Sequence, residues 1–491
     1  MKKLLSKSTF VRGLQCEKSL YLYKNHFNLK DTPSLSLKTI FEQGTSIGLL
    51  AQHLFPGGVD ASTKSYININ DSVKKTFDFI NQGETTIYEA TFIYNNVLAA
   101  LDILVKKEDG WHAYEVKSST RISSTYLNDA AIQYYTIINS GINLKDISII
   151  YINKNYLMNE NIDVSQLFNI ESVYDKVLKL NDRIPNDVTR LKKVLMSSKA
   201  PNVDIGTHCS KPYECDFKGV CWNHIPDYSI FDISRLSTKK KFDLYKKGIV
   251  KIDHVDINKT PLNSDQLIQV QSDLNNKTYI ETKKIKKFIK DLKYPLFYLD
   301  FETISSAIPM YKNTKPYQQL VFQYSLHVQK SINSKIVHSD YLANQNEDPR
   351  SQFIERLIND CGSYGDIIVY NISFERGKLK NLIKNFPNYS LQLTSIINRL
   401  KDLMLPFKNK WYYSPKMKGS YSIKYVLPAL VPDLSYDNLD IKDGGTASNI
   451  FLSMVNGTFN GNVKETRKQL LEYCYMDTFA MVKILEKLIQ I

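Results

Sequence analysis

A short apolar stretch that carries two acids, residues 298–303, limits most strongly what this chain can fold into. It reads Tyr-Leu-Asp-Phe-Glu-Thr, which predicts a short buried strand of a sheet. Because neighbouring residues of a strand point to opposite faces, Asp300 and Glu302 are expected on one face, with Phe301 opposite them in the core. Two carboxylates this close repel each other unless a cation lies between them. The stretch therefore predicts a divalent-metal site, and the alternative is an edge strand whose acids face water.

The length and composition of the chain set its class. At 491 residues, two or three domains are expected. Apolar residues make up 43% of the chain, which is enough for ordinary cores. No apolar run reaches the ~18 residues of a membrane span, and the basic first residues lack the apolar core of a signal peptide. We therefore expect a cytoplasmic protein with no membrane segment.

The net charge indicates the kind of partner. The formal charge of +14 favours a polyanion, most simply DNA or RNA. Lys, Asn, Ile and Tyr are all abundant, as is typical of proteins from AT-rich genomes, and this bias accounts for part of the charge. The charge supports a nucleic-acid partner without proving one.

The first half has the pattern of a small α/β core. Helices are predicted at residues 37–55 and around 73–80, and 166–200 is predicted to be mainly helical, split at Pro185. Between them the period changes to that of strands, at 86–94, 97–106 and 111–118, followed by a helix at 123–139 and a strand at 147–152.

Charged residues in the three-stranded segment form a second candidate site. Asp102 and Glu115 lie on adjacent strands and can face each other, and Glu115 shares a face with Lys117. Metal-dependent phosphodiester hydrolysis uses two acids to hold an ion and a lysine to stabilise the phosphate. A surface salt pair is the alternative. Asp102, however, lies inside an apolar strand, where an unpaired carboxylate is costly, which favours a functional site.

A cysteine cluster follows. Three cysteines lie within thirteen residues, with five residues between neighbours: Cys209, Cys215 and Cys221. A cytosolic chain of this size has little use for disulfides, so the cluster predicts a metal or iron–sulfur site. Zinc would take His208 or His224 as its fourth ligand, whereas a 4Fe-4S cluster would take Cys16. Three unrelated thiols are the remaining alternative.

The order of these residues resembles a known nuclease family. Along the chain come Cys16, Asp102, Glu115-Val-Lys117, Gln133-Tyr134 and the three clustered cysteines. This order resembles the PD-(D/E)XK nucleases of the RecB type, including the CRISPR-associated iron–sulfur exonucleases and the nuclease domain of AddB. Over residues 1–225 the resemblance implies a restriction-endonuclease-like α/β domain.

The same resemblance implies roles for individual residues. Catalysis is expected from Asp102, Glu115, Lys117 and Gln133, and a 4Fe-4S cluster is expected on Cys16, Cys209, Cys215 and Cys221. Gly48 stands where the family often has a metal-binding histidine, and Glu89 is expected to act as a metal ligand in its place.

Residues 226–293 are predicted to form a basic helical connector. They are rich in lysine, especially at 239–247 and 283–290. The stretch 244–252 is weakly similar to a helix-hairpin-helix, which binds phosphate backbones. A solvated amphipathic linker is the alternative.

The last third resembles a second nuclease family. Its predicted elements include strands at 316–328 and 366–371, a helix beginning at Ile372 and a long helix at 465–489. Over 294–491 the pattern resembles the DEDD 3′–5′ exonucleases of the ribonuclease H-like fold, in three motifs: Asp300-Phe-Glu302, Asn371 with Phe374-Glu375, and Tyr473-x-x-x-Asp477. Glu375 stands where the family usually has Asp.

This second resemblance implies a two-metal mechanism. Asp300, Glu302 and Asp477 are expected to hold Mg²⁺ or Mn²⁺, with Glu375 completing the ligand shell. Tyr473 is expected to orient or deprotonate the attacking water.

The combined architecture resembles an uncharacterised bacterial family in which a RecB-like nuclease is fused to a ribonuclease H-like exonuclease. We expect a metal-dependent nuclease, an exonuclease on DNA ends or single strands, with DNA repair as the matching process. The alternatives are a non-catalytic nucleic-acid-binding scaffold and an RNA-processing exonuclease.

Overall fold

Two mixed sheets organise the chain, one in each of two units. The computed structural model describes residues 4–33, 35–63 and 68–491, with the backbone alone for residues 35–42. The first unit comprises Met1–His224 with Ser306–Tyr317, and the second comprises Ile225–Ser305 with Gln318–Ile491. Both units are of mixed α/β structure, so the predicted α/β class is confirmed.

The sheet of the first unit joins parallel and antiparallel pairs. Its strands are β1 (Leu5–Ser6), β2 (Val59–Asp60), β3 (Thr86–Tyr94), β4 (Val97–Lys107), β5 (Gly110–Lys117), β6 (Leu144–Ile152) and β7 (Phe168–Ser172). The order is β2-β3-β4-β5-β6-β7, with β1 beside β4. β3, β4 and β5 form an antiparallel meander, and β6 is parallel to β5.

Helices pack on this sheet and close its core. They are α1 (Lys7–Gln15), α2 (Glu17–Asn25), α3 (Leu35–Gln52), α4 (Ile69–Asn81), α5 (Ser124–Asn139), α6 (Val164–Leu167), α7 (Tyr174–Asn181), α8 (Ile184–Met196) and α9 (Lys218–Cys221). α5 provides the crossover between the parallel strands β5 and β6, and its buried face includes Ala130, Ile132 and Ile137.

The predicted elements of this unit are largely confirmed. The meander, α5 and β6 lie where the sequence period places them. Pro185 separates α7 from α8, as predicted, because it sits in the first turn of α8, where no backbone N–H is needed. The helix predicted from residue 166 is wrong at its start, because Phe168–Ser172 forms β7, which completes the hydrogen bonds of β6 at that edge of the sheet.

The sheet of the second unit has five strands in the order β11-β10-β9-β12-β13. They are β9 (Leu296–Ile304), β10 (Leu320–Gln329), β11 (Ile336–Leu342), β12 (Asp366–Val369) and β13 (Leu400–Asp402), and a separate pair comprises β8 (Tyr279–Ile280) and β14 (Tyr412–Tyr413). β9 is central, antiparallel to β10 and parallel to β12. The strand predicted from 298–303 is therefore confirmed as a buried inner strand, and the edge-strand alternative is wrong.

The second unit also contains helices, several of which pack on this sheet. They are α10 (Thr238–Lys246), α11 (Ser264–Leu274), α12 (Thr282–Lys290), α13 (Arg350–Cys361), α14 (Ile372–Asn385), α15 (Ser390–Arg399), α16 (Leu405–Lys408), α17 (Ile423–Leu430), α18 (Gly444–Val455) and α19 (Val463–Ile489). The long helix predicted at 465–489 is confirmed as α19, and the helix beginning at Ile372 is confirmed as α14.

The stretch predicted as a connector is helical and belongs to the second unit. Its α10 and α11 enclose a small core of their own, with Ile230, Ile252 and Val270 buried. β8 pairs with β14, so part of this stretch is held by strand hydrogen bonds and does not run as a free linker.

No helix among the described residues is long and apolar enough to cross a membrane.

Replacing Lys410 is expected to stabilise the second unit. Lys410 is 2% exposed, its ammonium has no hydrogen-bond partner, and the ring centre of Tyr413 lies 4.1 Å away. Burial lowers its pKa from 10.5 to about 8, and at ~1.4 kcal/mol per pKa unit the charged form costs the folded state about 3 kcal/mol. Because the folded-state pKa lies below the unfolded value, this cost is complete below about pH 8 and disappears towards pH 10.5.

We therefore expect Lys410→Met to raise the free energy of unfolding by about 2–3 kcal/mol at pH 7, with a gain that shrinks above pH 8. Urea unfolding at pH 7 and at pH 9.5 measures it, and Lys416→Met, at an exposed lysine nearby, is the control. A pH-independent difference would contradict the assignment of the cost to a buried charge.

Candidate metal centres

The acids of the second unit converge as the strand pattern predicts. Asp300 and Glu302 project from one face of β9, while Phe301 points into the core on the other face, where its ring meets that of Phe353 edge-on at 5.1 Å. Asp477 approaches from α19, which packs on β9 and β10. One carboxylate oxygen from each of the three acids lies within 4.8 Å of the others. The three acids therefore offer a ligand set for a cation on the buried face of the sheet.

Burial raises the pKa of every acid in this set, and repulsion from neighbouring acids adds to the rise at Asp300 and Glu302. The pKa of Asp300 is held well above its usual range, first by burial and then by Asp477 and Glu302. For the same two kinds of reason the pKa of Glu302 rises to about 8, and burial raises the pKa of Asp477 to about 6. Carboxylates so arranged are poorly compensated by the protein alone, and a divalent cation would relieve the repulsion. The residues present therefore fit a divalent metal.

Glu375 stands beside this set without joining it. It lies in the first turn of α14, after the left-handed Asn371, and is 1% exposed. Its charge acts on the pKa of Asp300, yet among the described residues the set within 4.8 Å contains only Asp300, Glu302 and Asp477. Among the described residues, the buried Oε2 of Glu375 has no hydrogen-bond partner. An unpartnered buried carboxylate oxygen whose charge acts on Asp300 fits a ligand for a second cation.

Two tyrosines and a lysine complete the surroundings of these acids. Tyr473, buried one turn before Asp477 on α19, lies where the Tyr-x-x-x-Asp pattern predicts. Tyr436 donates a hydrogen bond to Asp477 Oδ1 at 2.7 Å, and Lys424 Nζ lies 5.5 Å from the ring centres of both tyrosines. The charge of Lys424 lowers the pKa of Glu302 and Asp477 against the larger effect of burial.

Gly444 leaves the space that Glu302 needs. At the start of α18, a Cβ on Gly444 would lie 3.2 Å from Glu302 Oε2. Sequence reasoning missed Gly444, Tyr436 and Lys424, since each belongs to a segment with no motif of its own. The one available signal was the Asp-Gly-Gly run at 443–445, a turn pattern that precedes a helix.

Removing the hydroxyl of Tyr436 is expected to weaken metal binding. Tyr436→Phe deletes the donor to Asp477 and keeps the volume of the ring, so we expect the affinity of the second unit for Mn²⁺ to fall by about 10- to 100-fold, as for other residues that orient a ligand. Equilibrium dialysis with Mn²⁺ measures it, with Tyr425→Phe, at an exposed ring on α17, as the control. Equal affinities would mean that the Tyr436 hydroxyl does not orient Asp477.

The structure also brings together the predicted residues of the first unit. Glu115, on β5, accepts hydrogen bonds from Lys117 Nζ at 2.7 Å and from Gln133 Nε2 at 2.9 Å. Asp102, on β4, accepts a hydrogen bond from the backbone N–H of Val116 at 2.6 Å. Glu89 lies in β3 between Tyr88 and Ala90, which pair with β4 in one unbroken register, and it has a φ of +54°. Burial raises its pKa, and the charges of Lys7 and Glu115 also act on it.

A residue that the sequence did not single out sits at the centre of this group. Lys7, the first residue of α1, donates to Glu115 Oε1 at 2.8 Å and to Oε2 at 3.0 Å. A carboxylate has about four lone-pair sites, and Lys7, Lys117 and Gln133 use all four on Glu115. With Lys7 here, the first-unit acids do not fit a divalent ion as they stand, and the metal-binding role of Asp102, Glu115 and Glu89 stays a prediction.

All four predicted cluster cysteines line one cavity. Cys16 caps α2, where its sulfur accepts a weak hydrogen bond from Ser19 N–H at 3.4 Å. The ends of the unit meet here, because Arg12 forms a two-point ion pair with Asp216 at 2.5 and 2.9 Å. Gln15 Nε2 donates to the backbone carbonyls of His208 and Tyr213, both at 2.7 Å.

The spacing of the sulfurs distinguishes between the two predicted occupants. Zinc bonds sulfur at ~2.3 Å in a tetrahedron, which puts two sulfurs about 3.8 Å apart. Among the described residues, one group of three or more His, Cys, Asp or Glu side chains has its ligand atoms within 4.8 Å of one another, and that group is the acids of the second unit. No three cysteine sulfurs of the described chain are therefore that close. His208 also lines the cavity, and His224 is not one of its lining residues. Four cysteines around one cavity, with no three of their sulfurs as close as zinc requires in the described chain, fit an iron–sulfur cluster better than a single zinc ion.

Comparison with known proteins gives relatives without an assigned activity. A family model described as a domain of unknown function (DUF2779) matches residues 297–422, a range that contains Asp300, Glu302 and Glu375 and ends before Tyr473 and Asp477.

Three uncharacterized proteins of Mycoplasma and Ureaplasma species are similar to parts of the chain. The uncharacterized protein MG366 of Mycoplasma genitalium is 30% identical over 220 residues, covering 41% of this chain and 33% of its own length. Its homolog in Mycoplasma pneumoniae gives the same figures. The uncharacterized protein UU173 of Ureaplasma parvum is 29% identical over 289 residues, covering 52% of this chain and 40% of its own length. The chain thus spans well under half the length of these relatives.

Proposed function

We propose that this chain is a metal-dependent nuclease that hydrolyses phosphodiester bonds of nucleic acid in its second unit. The observation that carries the proposal is the convergence of Asp300, Glu302 and Asp477 from a central strand and a long helix on one buried face. Such a set of acids holds divalent ions that activate water and stabilise the leaving oxygen. The strand order, with β9 between an antiparallel and a parallel neighbour, supports a ribonuclease H-like fold for this unit.

The chain's own groups have separable tasks in this proposal. Asp300, Glu302 and Asp477 would hold the ions, with Glu375 as the further ligand. Tyr473 is positioned to orient the attacking water. Burial and the neighbouring acids hold the pKa of Tyr473 far above its usual range, so its phenol stays protonated and acts as a donor, not as a base. Lys424 offers a positive charge beside the acids.

The first unit supports the proposal through its cysteines and its fold. We propose that its mixed sheet is of the PD-(D/E)XK type and that Cys16, Cys209, Cys215 and Cys221 hold a 4Fe-4S cluster. Bound there, the cluster would join the start of α2 to the segment around α9, which Arg12 and Gln15 of the adjoining α1 already contact. Its task is structural, since it adds a covalent link between distant parts of the chain.

The charge of the chain supports a nucleic-acid substrate. The net charge of +14 favours binding to a phosphate backbone, and such binding weakens steeply with salt. We propose DNA ends or single strands as the substrate.

The test is an assay on end-labelled strands. The purified, iron-loaded protein is incubated with single-stranded DNA, duplex DNA and RNA in Mg²⁺, in Mn²⁺ and in EDTA. We expect metal-dependent shortening of single-stranded DNA, lost in EDTA. Cleavage of RNA alone would favour an RNA-processing exonuclease, and binding without cleavage of any substrate would favour a non-catalytic scaffold.

A further inference from the structure

Lys7 holds a place in the first unit that a metal ion would otherwise take. Its ammonium contacts both oxygens of Glu115, at 2.8 and 3.0 Å. The backbone fixes it there, because β1 pairs with β4 at Leu5 and Val97, and Ser6 caps α1 with a reciprocal pair of hydrogen bonds to Thr9. The strand pairing and the helix cap therefore fix the backbone position of Lys7, so its contact with Glu115 is not that of a freely moving surface side chain.

Lys7 and Lys117 pair with two of the acids around them, Glu115 and Asp129, whereas Asp102 forms no ion pair among the described residues. Lys117 bridges Glu115 at 2.7 Å and Asp129 at 2.5 Å, so two ammonium groups serve these two acids. They lower the pKa of Glu115 to about 2 despite its burial. Glu115, at 2% exposed, is thus a fully paired carboxylate with no oxygen left for another cation.

The second unit gives the opposite arrangement from a similar set of acids. There the nearest lysine, Lys424, donates to the backbone carbonyl of Lys442 at 2.5 Å, and its ammonium faces the rings of Tyr436 and Tyr473. Within the described chain no ion pair is formed by Asp300, Glu302 or Asp477. Glu115 therefore has its counter-charge built in, and the three acids of the second unit do not.

We propose that the ammonium of Lys7 acts as the resident cation of the Glu115 site and closes the acids of the first unit to divalent metal. Among the acids of the described chain, we then expect divalent ions at the set of Asp300, Glu302 and Asp477 and not at Glu115, a consequence that rests on the proposed function of the second unit. Mg²⁺ or Mn²⁺ can enter the first unit only when the Lys7 ammonium leaves Glu115.

Counting bound Mn²⁺ in the full-length, iron-loaded protein tests this. The starting variant carries Asp300→Asn and Asp477→Asn, so that Glu302 is the one carboxylate left in the set of three. Lys7→Met is added to it, and then Glu115→Gln as a third step. The matched control replaces Lys7→Met by Lys176→Met, which removes a lysine of the same unit that pairs with Glu171 on the surface.

We expect the starting variant and its Lys176→Met derivative to bind no Mn²⁺ more tightly than bulk surface sites do. Adding Lys7→Met should create one Mn²⁺ site with an affinity at least about tenfold higher than that of the bulk surface sites. Adding Glu115→Gln should then remove this site. Folding of each variant is checked by its melting curve, and Lys7→Gln, which keeps a polar end, serves if Lys7→Met fails to fold.

Two results would overturn the proposal. The first is a Mn²⁺ site that is present in the starting variant, with Lys7 unchanged, and that is lost when Glu115→Gln is added. This comparison needs no substitution of Lys7. The other is a folded Lys7→Met or Lys7→Gln variant that gains no site. Failure of the proposed function would give a different result. The wild-type protein and the Asp300→Asn variant would then bind the same amount of Mn²⁺, with or without a substitution at Lys7.

Discussion

Asp300→Asn is expected to lower the rate of phosphodiester hydrolysis by about a thousandfold, the scale seen when an electrostatic contact to the transition state is lost. The amide keeps the shape of the side chain and removes a carboxylate from the set formed with Glu302 and Asp477. An amide oxygen is a weaker ligand for a hard divalent cation than a carboxylate. Substrate binding, which depends on the basic surface, should change little.

The same substitution should make the second unit more stable in metal-free buffer. Burial and the neighbouring acids raise the folded-state pKa of Asp300 above its unfolded value, so ionisation destabilises the fold as the pH rises. Asparagine does not ionise, and the gain in the free energy of unfolding should be present at neutral pH and vanish below about pH 4, where the unfolded carboxyl is protonated too. An acid that only supports the fold would give the opposite sign.

Two further variants, one a control on the same sheet and one in the first unit, test this prediction. Asp340→Asn changes a half-exposed acid on β11 of the same sheet and should leave both activity and stability near wild type. Glu115→Gln tests the first unit. If Asp300→Asn kept full activity and Glu115→Gln lost it, cleavage would lie in the first unit and the proposed site would be wrong.

The sequence predicted those parts of the site that depend on local periodicity. A period of two places Asp300 and Glu302 on one face of a strand, and a spacing of four places Tyr473 and Asp477 on one face of a helix. Both arrangements hold in the structure because neither needs knowledge of a distant partner. The sequence did not predict strand β7, because this strand depends on a partner outside its own segment. Its pairing with β6 overrides the helical pattern that begins at residue 166.

The residues that the sequence did not reveal act across long stretches of chain. Lys7 meets Glu115 over 108 positions, and Tyr436 meets Asp477 over 41. Lysine and tyrosine are abundant here, so neither residue stands out from its surroundings. Their positions follow from a strand pairing at Leu5 and from packing against α19, which no local pattern encodes. The residues that contact and compensate these acids are therefore identified from the structure and not from the sequence.

Cys16→Ala is expected to remove most of the iron from the protein and to destabilise the first unit. Cys16 is far in sequence from the three other cysteines that line the cavity, so it alone links the first two helices to the later segment through a cluster. Structural metal sites contribute about 10 kcal/mol or more to the folding of small domains. The ion pair of Arg12 with Asp216 and the bonds of Gln15 remain in the variant, so we expect a lowered melting temperature for this unit and not its complete unfolding. Iron content, visible absorption and the melting curve measure the effect.

Two further variants decide which group the cysteines hold. Cys361→Ala removes a buried thiol of the second unit and should leave iron content unchanged. His208→Ala separates the candidates, because a zinc ion on three cysteines needs His208 as its fourth ligand, whereas a cluster on four thiolates does not. Since no three of the sulfurs lie within 4.8 Å of one another in the described chain, we expect His208→Ala to retain its iron and Cys16→Ala to lose it. Bound zinc that His208→Ala releases and Cys16→Ala keeps would reverse the assignment, and Cys16 would then be a helix cap with no part in metal binding.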